Sequence, residues 1–245
     1  MHLSDLRRTA SVWQTWGQKN PLYAILSSDK KWEVDEFFAT GQQEVDAFIA
    51  HCGEIGLTLP TGTALDFGCG VGRLSRALAR HFQKVIGVDI AASMIEQARQ
   101  YNPGESFQFV VNTAPNLQIL PDASVDFVFS RIVLQHIPPP VVKEYLTEFY
   151  RVLRPGGIMA IHIPSTPENF APGFKARLRN IIGRKAYNRL AWAVSHRTLA
   201  AIDMHYIPEP EVISHLRGVG AKIIAVEKIL PNPIREHRQY IAAKP

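Results

Sequence analysis

Long apolar runs, cysteine and a secretory leader are what this 245-residue chain has little of. No window approaches the ~18 uninterrupted apolar residues that a membrane-spanning helix needs. The first residues, Met1 to Gln14, carry Asp5, Arg7 and Arg8 and lack the apolar stretch of a leader. The two cysteines, Cys52 and Cys69, show neither disulfide nor metal-ligand spacing, so no metal is expected and a reducing cytoplasm is the expected setting. Acidic residues are missing from one stretch. Between Phe170 and Ala200 stand Lys175, Arg177, Arg179, Arg184, Lys185, Arg189 and Arg197, with no Asp or Glu. The net charge is +5, and the 27 basic residues less these seven leave 20 against 22 acidic ones. The basic excess is therefore local, which argues against a general nucleic-acid binder. A content of 46% hydrophobic and 20% charged residues is ordinary globular composition, enough for one sizeable core.

From Ala64 onward, short β-branched runs alternate with helix-period segments. Strands are predicted at Ala64–Phe67, Lys84–Val88, Phe107–Val111, Val125–Ser130 and Ile158–Ile163. Between them, Leu74, Ala77, Leu78 and Phe82 recur at helical spacing. A second helix is expected around Ser93–Tyr101, and Val142, Tyr145, Leu146, Phe149 and Leu153 mark the core face of a third. This alternation predicts a doubly wound, Rossmann-like α/β sheet with helices on both faces. Upstream, residues 1–40 read as an aromatic-rich helical arm or lid with Trp13, Trp16, Tyr23 and Trp32, and residues 41–245 as the main domain. Thr40 and Gln43 suggest a capping box opening a helix whose face carries Val45, Phe48, Ile49 and Cys52. After the fifth strand, about 165–207 reads as a helical insert. A helix near Glu209–Arg217 and strands near Ala221–Glu227 and His237–Ala243 then close the chain.

The segment with most chemical content is Ala64-Leu65-Asp66-Phe67-Gly68-Cys69-Gly70-Val71-Gly72-Arg73-Leu74. A buried strand runs into a glycine turn and straight into a helix, where glycines admit positive φ and close ligand approach. The helix start offers free N–H groups. The spacing Gly68-x-Gly70-x-Gly72 differs from the G-x-G-x-x-G of dinucleotide folds. At the end of the second strand, Asp89 is placed to accept hydrogen bonds from ribose hydroxyls. A helix N-cap is the alternative reading, since Ala91-Ala92-Ser93 opens a helix. Ile90 and Met94 can pack on an adenine ring.

Leu65-Asp66-Phe67-Gly68-Cys69-Gly70-Val71-Gly72 resembles the first motif of class I S-adenosylmethionine-dependent methyltransferases, and Val88-Asp89 resembles the acidic end of their second strand. Val125-Asp126-Phe127-Val128-Phe129-Ser130 resembles their fourth strand, and Leu153-Arg154-Pro155-Gly156-Gly157 the turn before the fifth. The resemblance implies a seven-stranded sheet, mostly parallel with the last strand antiparallel, and S-adenosyl-L-methionine as cofactor. It implies that Asp66, Gly68, Cys69 and Gly70 hold the amino-acid end of that cofactor, Asp89 its ribose, and Ile90 and Met94 its adenine. Asn112 and Thr113 follow the third strand, where the family often carries Gly-Asp; Thr113 departs from that pattern. Ser130 and Arg131 stand where the family places residues near the transferred methyl group.

Two readings of Arg73 stay open, a partner for Asp66 or for a cofactor carboxylate and a solvent-facing residue. His136, in Leu134-Gln135-His136-Ile137, leads the candidates for a general base, followed by His162, His205 and Tyr206. The expected acceptor is a small molecule, glycan or lipid precursor methylated on oxygen or nitrogen. Its charge is anionic if the basic insert faces the pocket. Peripheral contact with an anionic membrane is the other functional reading of that insert, and a solvated packing face is the bland one. An Asn/Asp-Pro-Pro-aromatic motif is missing after the fourth strand, so the resemblance to families acting on exocyclic base amines fails there; RNA ribose or carbon methylation stays open, though nucleic acid is not the expected acceptor. The competing functions are a non-catalytic cofactor-binding scaffold and a nicotinamide-dependent oxidoreductase.

Overall fold

The β-branched and aromatic runs assemble into one sheet of seven strands in the order β3-β2-β1-β4-β5-β7-β6. The structure is a computed structural model that describes residues 2–26, 31–167, 204–232 and 235–245. The strands are β1 Thr63–Phe67, β2 Lys84–Asp89, β3 Phe107–Val111, β4 Val125–Ser130, β5 Leu153–Pro164, β6 Lys222–Asn232 and β7 Arg235–Ala243. β1 pairs in parallel with β2 and β4, β2 with β3, and β4 with β5. β7 runs antiparallel to both β5 and β6. The described helices are α1 His2–Lys19, α2 Pro21–Ile25, α3 Val34–Glu54, α4 Arg73–Leu78, α5 Ala92–Tyr101, α6 Pro139–Val152 and α7 Glu209–Gly218.

Alternation along each strand divides the core into two layers. Leu65, Phe67, Val128, Met159 and Ile161 pack with Tyr145, Leu146 and Phe149 of α6 and with Val212 and Leu216 of α7. Their strand neighbours Ala64, Phe127, Phe129, Ile158 and Ala160 turn to the other face, where Val45, Phe48 and Cys52 of α3 meet Leu74, Ala77 and Leu78 of α4. Asp66 shares this second face and is 1% exposed.

Three details differ from the expectations. α3 begins at Val34, and Thr40 lies inside it, so the capping box does not form. The Thr40 hydroxyl instead donates to the Phe37 carbonyl at 2.7 Å, a mid-helix outlet for a threonine. Burial of Phe37 and Phe38 carries the helix seven residues further toward the N-terminus, from an expected cap at Thr40 to one at Glu33. α3 also runs through the boundary expected at residue 40, so only α1 and α2 precede it. The third difference is β5, which starts at Leu153 rather than Ile158, with a shift of register against β4 before Phe127.

The helical insert expected at about 165–207 lies mostly outside the described residues. Where the chain returns, His205 donates its N–H to Gln135 O at 2.7 Å and Ile207 to Pro164 O at 3.0 Å. Among the described residues no helix is long and apolar enough to cross a membrane.

The strand order reverses between β1 and β4, and ligand crevices of open α/β sheets form at such points, beyond the carboxyl ends of the strands. α1 docks on α5 beside this point. Ser93 donates its N–H to Gln14 Oε1 at 3.0 Å and its hydroxyl to Gln14 O at 2.9 Å, and Gln97 Nε2 donates to Gly17 O at 2.6 Å.

Candidate functional site

A cavity of about 450 Å³ opens at the switch point, within the usual size of small-ligand sites. Its floor is the glycine loop after β1. Gly68 and Gly70 have φ of +76° and +54°, and the N–H groups of Gly68 and Cys69 both donate to Val88 O of β2, at 2.7 and 3.1 Å. A Cβ on Gly68 would lie 2.3 Å from Val133 Cγ2, and one on Gly70 2.6 Å from Ile25 Cδ1. The loop is thus sandwiched where only glycine fits. Leu6, Trp13 and Ile25 from α1 and α2 line the cavity as well.

Asp89 closes β2 and fastens this loop. Its Oδ2 accepts the Gly70 N–H and its Oδ1 the Ala91 N–H, each at 2.9 Å. Burial raises its pKa, against the pull of these backbone donors. Each oxygen keeps a second lone pair for a ligand hydroxyl. The two readings of Asp89 are therefore compatible: it braces the start of α5 and also lines the cavity with Ile90 and Met94.

Arg73 and Arg131 share one carboxylate that sequence reasoning missed. Glu44 of α3 accepts from Arg73 Nη2 and from Arg131 Nε, both at 2.7 Å. Burial pushes the Glu44 pKa up, but the two guanidiniums outweigh it and hold the group below its usual value. Arg73 is 4% exposed and pairs with neither Asp66 nor solvent. Its Nε and Gln135 Oε1 are buried polar atoms with no hydrogen-bond partner, and both residues line the cavity. One orphan donor and one orphan acceptor in the same wall suit a ligand bearing both a carboxylate and an amine.

Gly68, Cys69, Gly70, Arg73, Asp89, Ile90, Met94, Asn112, Arg131 and His136 all line this one cavity. Three expected residues do not. Asp66 points into the helical layer and accepts from the Ser75 hydroxyl at 2.6 Å, with burial raising its pKa to about 6. Ser130 is fully buried and donates to Phe67 O at 3.1 Å. Thr113 is exposed, beyond the wall. Asn112 spends its amide on the loop that follows, donating to Asn116 O at 2.7 Å. Burial, then Asp89 and Asp66, raise the Cys69 thiol well above its usual pKa, so it is a filler and not a nucleophile.

A family model described as a methyltransferase domain matches residues 65–161. The 2-methyl-6-phytyl-1,4-hydroquinone methyltransferase of Synechocystis is 37% identical over 107 residues, 42% of this chain and 33% of that protein. Trans-aconitate 2-methyltransferase of Afipia carboxidovorans is 35% identical over 104 residues, 40% of this chain and 37% of that protein. A magnesium protoporphyrin IX methyltransferase from Synechocystis, solved with bound SAH, superposes with a TM-score of 0.65 over 98% of this chain and 99% of that one, at 18% identity.

Residues 65–161 match a methyltransferase domain, and the chain has the class I methyltransferase fold. The family match runs from β1 into β5, the part of the sheet that borders the cavity, and the chain spans about a third of the length of the curated relatives named above.

In this methyltransferase fold the candidate bases separate. His136 sits on the cavity wall, edge-on to Trp13 with ring centroids 5.3 Å apart, and its Nε2 is 3.1 Å from Gln135 Nε2. His162, expected to face the cleft, is instead 5% exposed and absent from the cavity lining, because Nδ1 accepts the Ile132 N–H from behind the wall and Nε2 meets His237 Nδ1 of β7. His205 and Tyr206 also lie outside the lining. Among the described residues no group of three or more His, Cys, Asp or Glu gathers around a metal position. Glu44 left only a weak signal: it lies four residues from Thr40 on one helix face, and Arg73 bonds both.

Proposed function

We propose that this chain transfers the methyl group of S-adenosylmethionine to an oxygen or nitrogen of a small-molecule, glycan or lipid acceptor. The observation that carries the reading is Asp89, which ties the glycine loop through Gly70 N–H while facing a cavity that it lines with Ile90 and Met94. Relatives whose names give a quinol and an acid as acceptors support a small molecule here.

In this reading Asp89 receives the ribose hydroxyls, Ile90 and Met94 flank the adenine, and Gly68, Cys69 and Gly70 receive the amino-acid end. Arg73 Nε supplies the missing partner of a carboxylate and Gln135 Oε1 that of an amine. Asp66 and Ser130 act from outside the wall, bracing α4 and the end of β1. The bound cofactor supplies a sulfonium whose methyl is already activated, so the chain's work is chiefly positioning.

His136 is the proposed base for an acceptor that arrives protonated. The Gln135 amide donates to its Nε2, which puts the ring proton on Nδ1, and an acceptor's proton reaches Nε2 once that amide turns aside. Arg131 uses Nε and Nη1 on Glu44 and Gln239, and its Nη2 has no partner among the described residues, which suits an anionic acceptor. The cytoplasmic setting and membrane contact through the basic insert belong to this proposal too.

The test is transfer of labelled methyl from S-adenosylmethionine across matched carboxylic acids, phenols and amines, with NADH binding measured alongside. Label in an acceptor without NADH binding is expected. NADH binding in place of S-adenosylmethionine would contradict the reading.

A further inference from the structure

The cavity wall contains a backbone outlier. Among the described residues only Ala123 and Ile132 combine a side chain with positive φ, and Ile132, at +61°, is branched at Cβ. A β-branched residue in the left-handed region is a steric outlier. Such strain persists where the surroundings over-determine it, and it clusters at ligand sites. Ile132 lines the cavity and is 36% exposed.

A buried histidine holds it. The Ile132 N–H donates to His162 Nδ1 at 3.0 Å. A backbone N–H only donates, so Nδ1 carries no proton and the neutral ring has its proton on Nε2. That proton faces His237 Nδ1 at 2.7 Å, with the two rings stacked 4.8 Å apart. Burial first, then Arg131, His237 and His136, keep the His162 pKa well below its usual value, so this assignment holds at neutral pH.

The residues on either side of Ile132 each have a fixed task. Arg131 reaches Glu44 and Gln239, while the Val133 methyls occupy the space a Gly68 Cβ would need. The chain must turn left-handed between them to serve both.

We propose that His162 is a positioning residue for the cleft: as a hydrogen-bond acceptor it pins Ile132 in its left-handed turn and so sets Arg131 and Val133 in the cavity wall. This role rests on the cofactor reading above and is separate from proton transfer, since the imidazole does not line the cavity.

A strain-relief cycle tests it. His162→Leu removes the acceptor, and His162→Asn keeps one, its amide oxygen standing near the place of Nδ1. Ile132→Gly frees the left-handed φ. Calorimetry with S-adenosylhomocysteine and amide hydrogen exchange at residue 132 are read on each variant, with a melting transition to confirm folding. His162→Leu is expected to weaken binding about tenfold and to speed exchange at the Ile132 amide about tenfold. His162→Asn is expected to stay within about threefold of wild type, and adding His162→Leu to Ile132→Gly to cost less than about threefold. An equal loss in both backgrounds would reduce His162 to core filler. So would an unchanged His162→Leu, or a folded His162→Asn weakened about tenfold. A wild type that binds no S-adenosylhomocysteine would sink the cofactor reading instead, and exchange at residue 132 would still decide whether His162 pins the turn.

Discussion

Asp66 and Asp89 sit 23 residues apart, on neighbouring strands, with opposite employment. Asp89 faces the cavity with backbone donors on both oxygens, while Asp66 is sealed behind β1 with Ser75 as its side-chain donor. Burial raises the Asp66 pKa from 3.8 to about 6, so the folded chain binds its proton more tightly than the unfolded chain does. That contribution to stability is fully present below pH ~4 and is lost as pH rises through about 6. Its size is on the order of 2–3 kcal/mol. The stability of Asp66→Asn relative to wild type, followed by denaturant titration, is therefore expected to increase by about that much between pH 4 and 7. A flat difference would show the carboxylate to be solvated. His136 makes a different forecast. With a hydroxyl or ammonium acceptor, His136→Ala should lower turnover about 100-fold or more while leaving S-adenosylhomocysteine affinity nearly unchanged. Equal losses in both would make it a cavity-wall residue only.

Among the elements, the glycine loop and α1 carry the most exposed geometry. Gly68→Ala forces a side chain into left-handed backbone and against Val133, which should cost roughly 2–3 kcal/mol, read as a lower melting temperature. α1 is held on α5 through Gln14 and Gly17, and a Cβ on Gly17 would lie 2.3 Å from Ser93 Oγ. Gly17→Val should lift α1 and speed dissociation of S-adenosylhomocysteine from a chain that still folds. Unchanged dissociation would mean that α1 does not cover the ligand. The loop and the acid ending β2 were legible in the sequence because both are local: turn chemistry and a strand end with fixed spacing. Glu44 was not, because its partnership with Arg131 closes over 87 positions and leaves no periodic trace. The start of α3 was misplaced because Thr40 and Gln43 have the spacing of a cap, while the burial of Phe37 and Phe38 depends on tertiary contacts. His162 was sent to the cleft by its strand end. Its pairing with His237 depends on the β5–β7 register, which no local pattern encodes.

At the scale of the whole molecule, the alternating strands and helices specify the sheet, and the reversal between β1 and β4 places a crevice where the glycine loop, Asp89 and the arm converge. A ligand bound there joins α1, α5 and the sheet, so it should stabilise the whole domain. At 100 times its dissociation constant, S-adenosylhomocysteine is expected to add about 2.7 kcal/mol. For a chain of this length that raises the melting temperature by roughly 5–10 °C. The most direct measurement is calorimetry of S-adenosylhomocysteine with wild type, Asp89→Asn and Asp89→Ala. Saturable one-to-one binding is predicted for wild type. Asp89→Ala should be weakened about 30-fold or more as two charge-assisted hydrogen bonds are lost, and Asp89→Asn should fall between them. Equal affinity in all three, or no binding by wild type, would contradict the account.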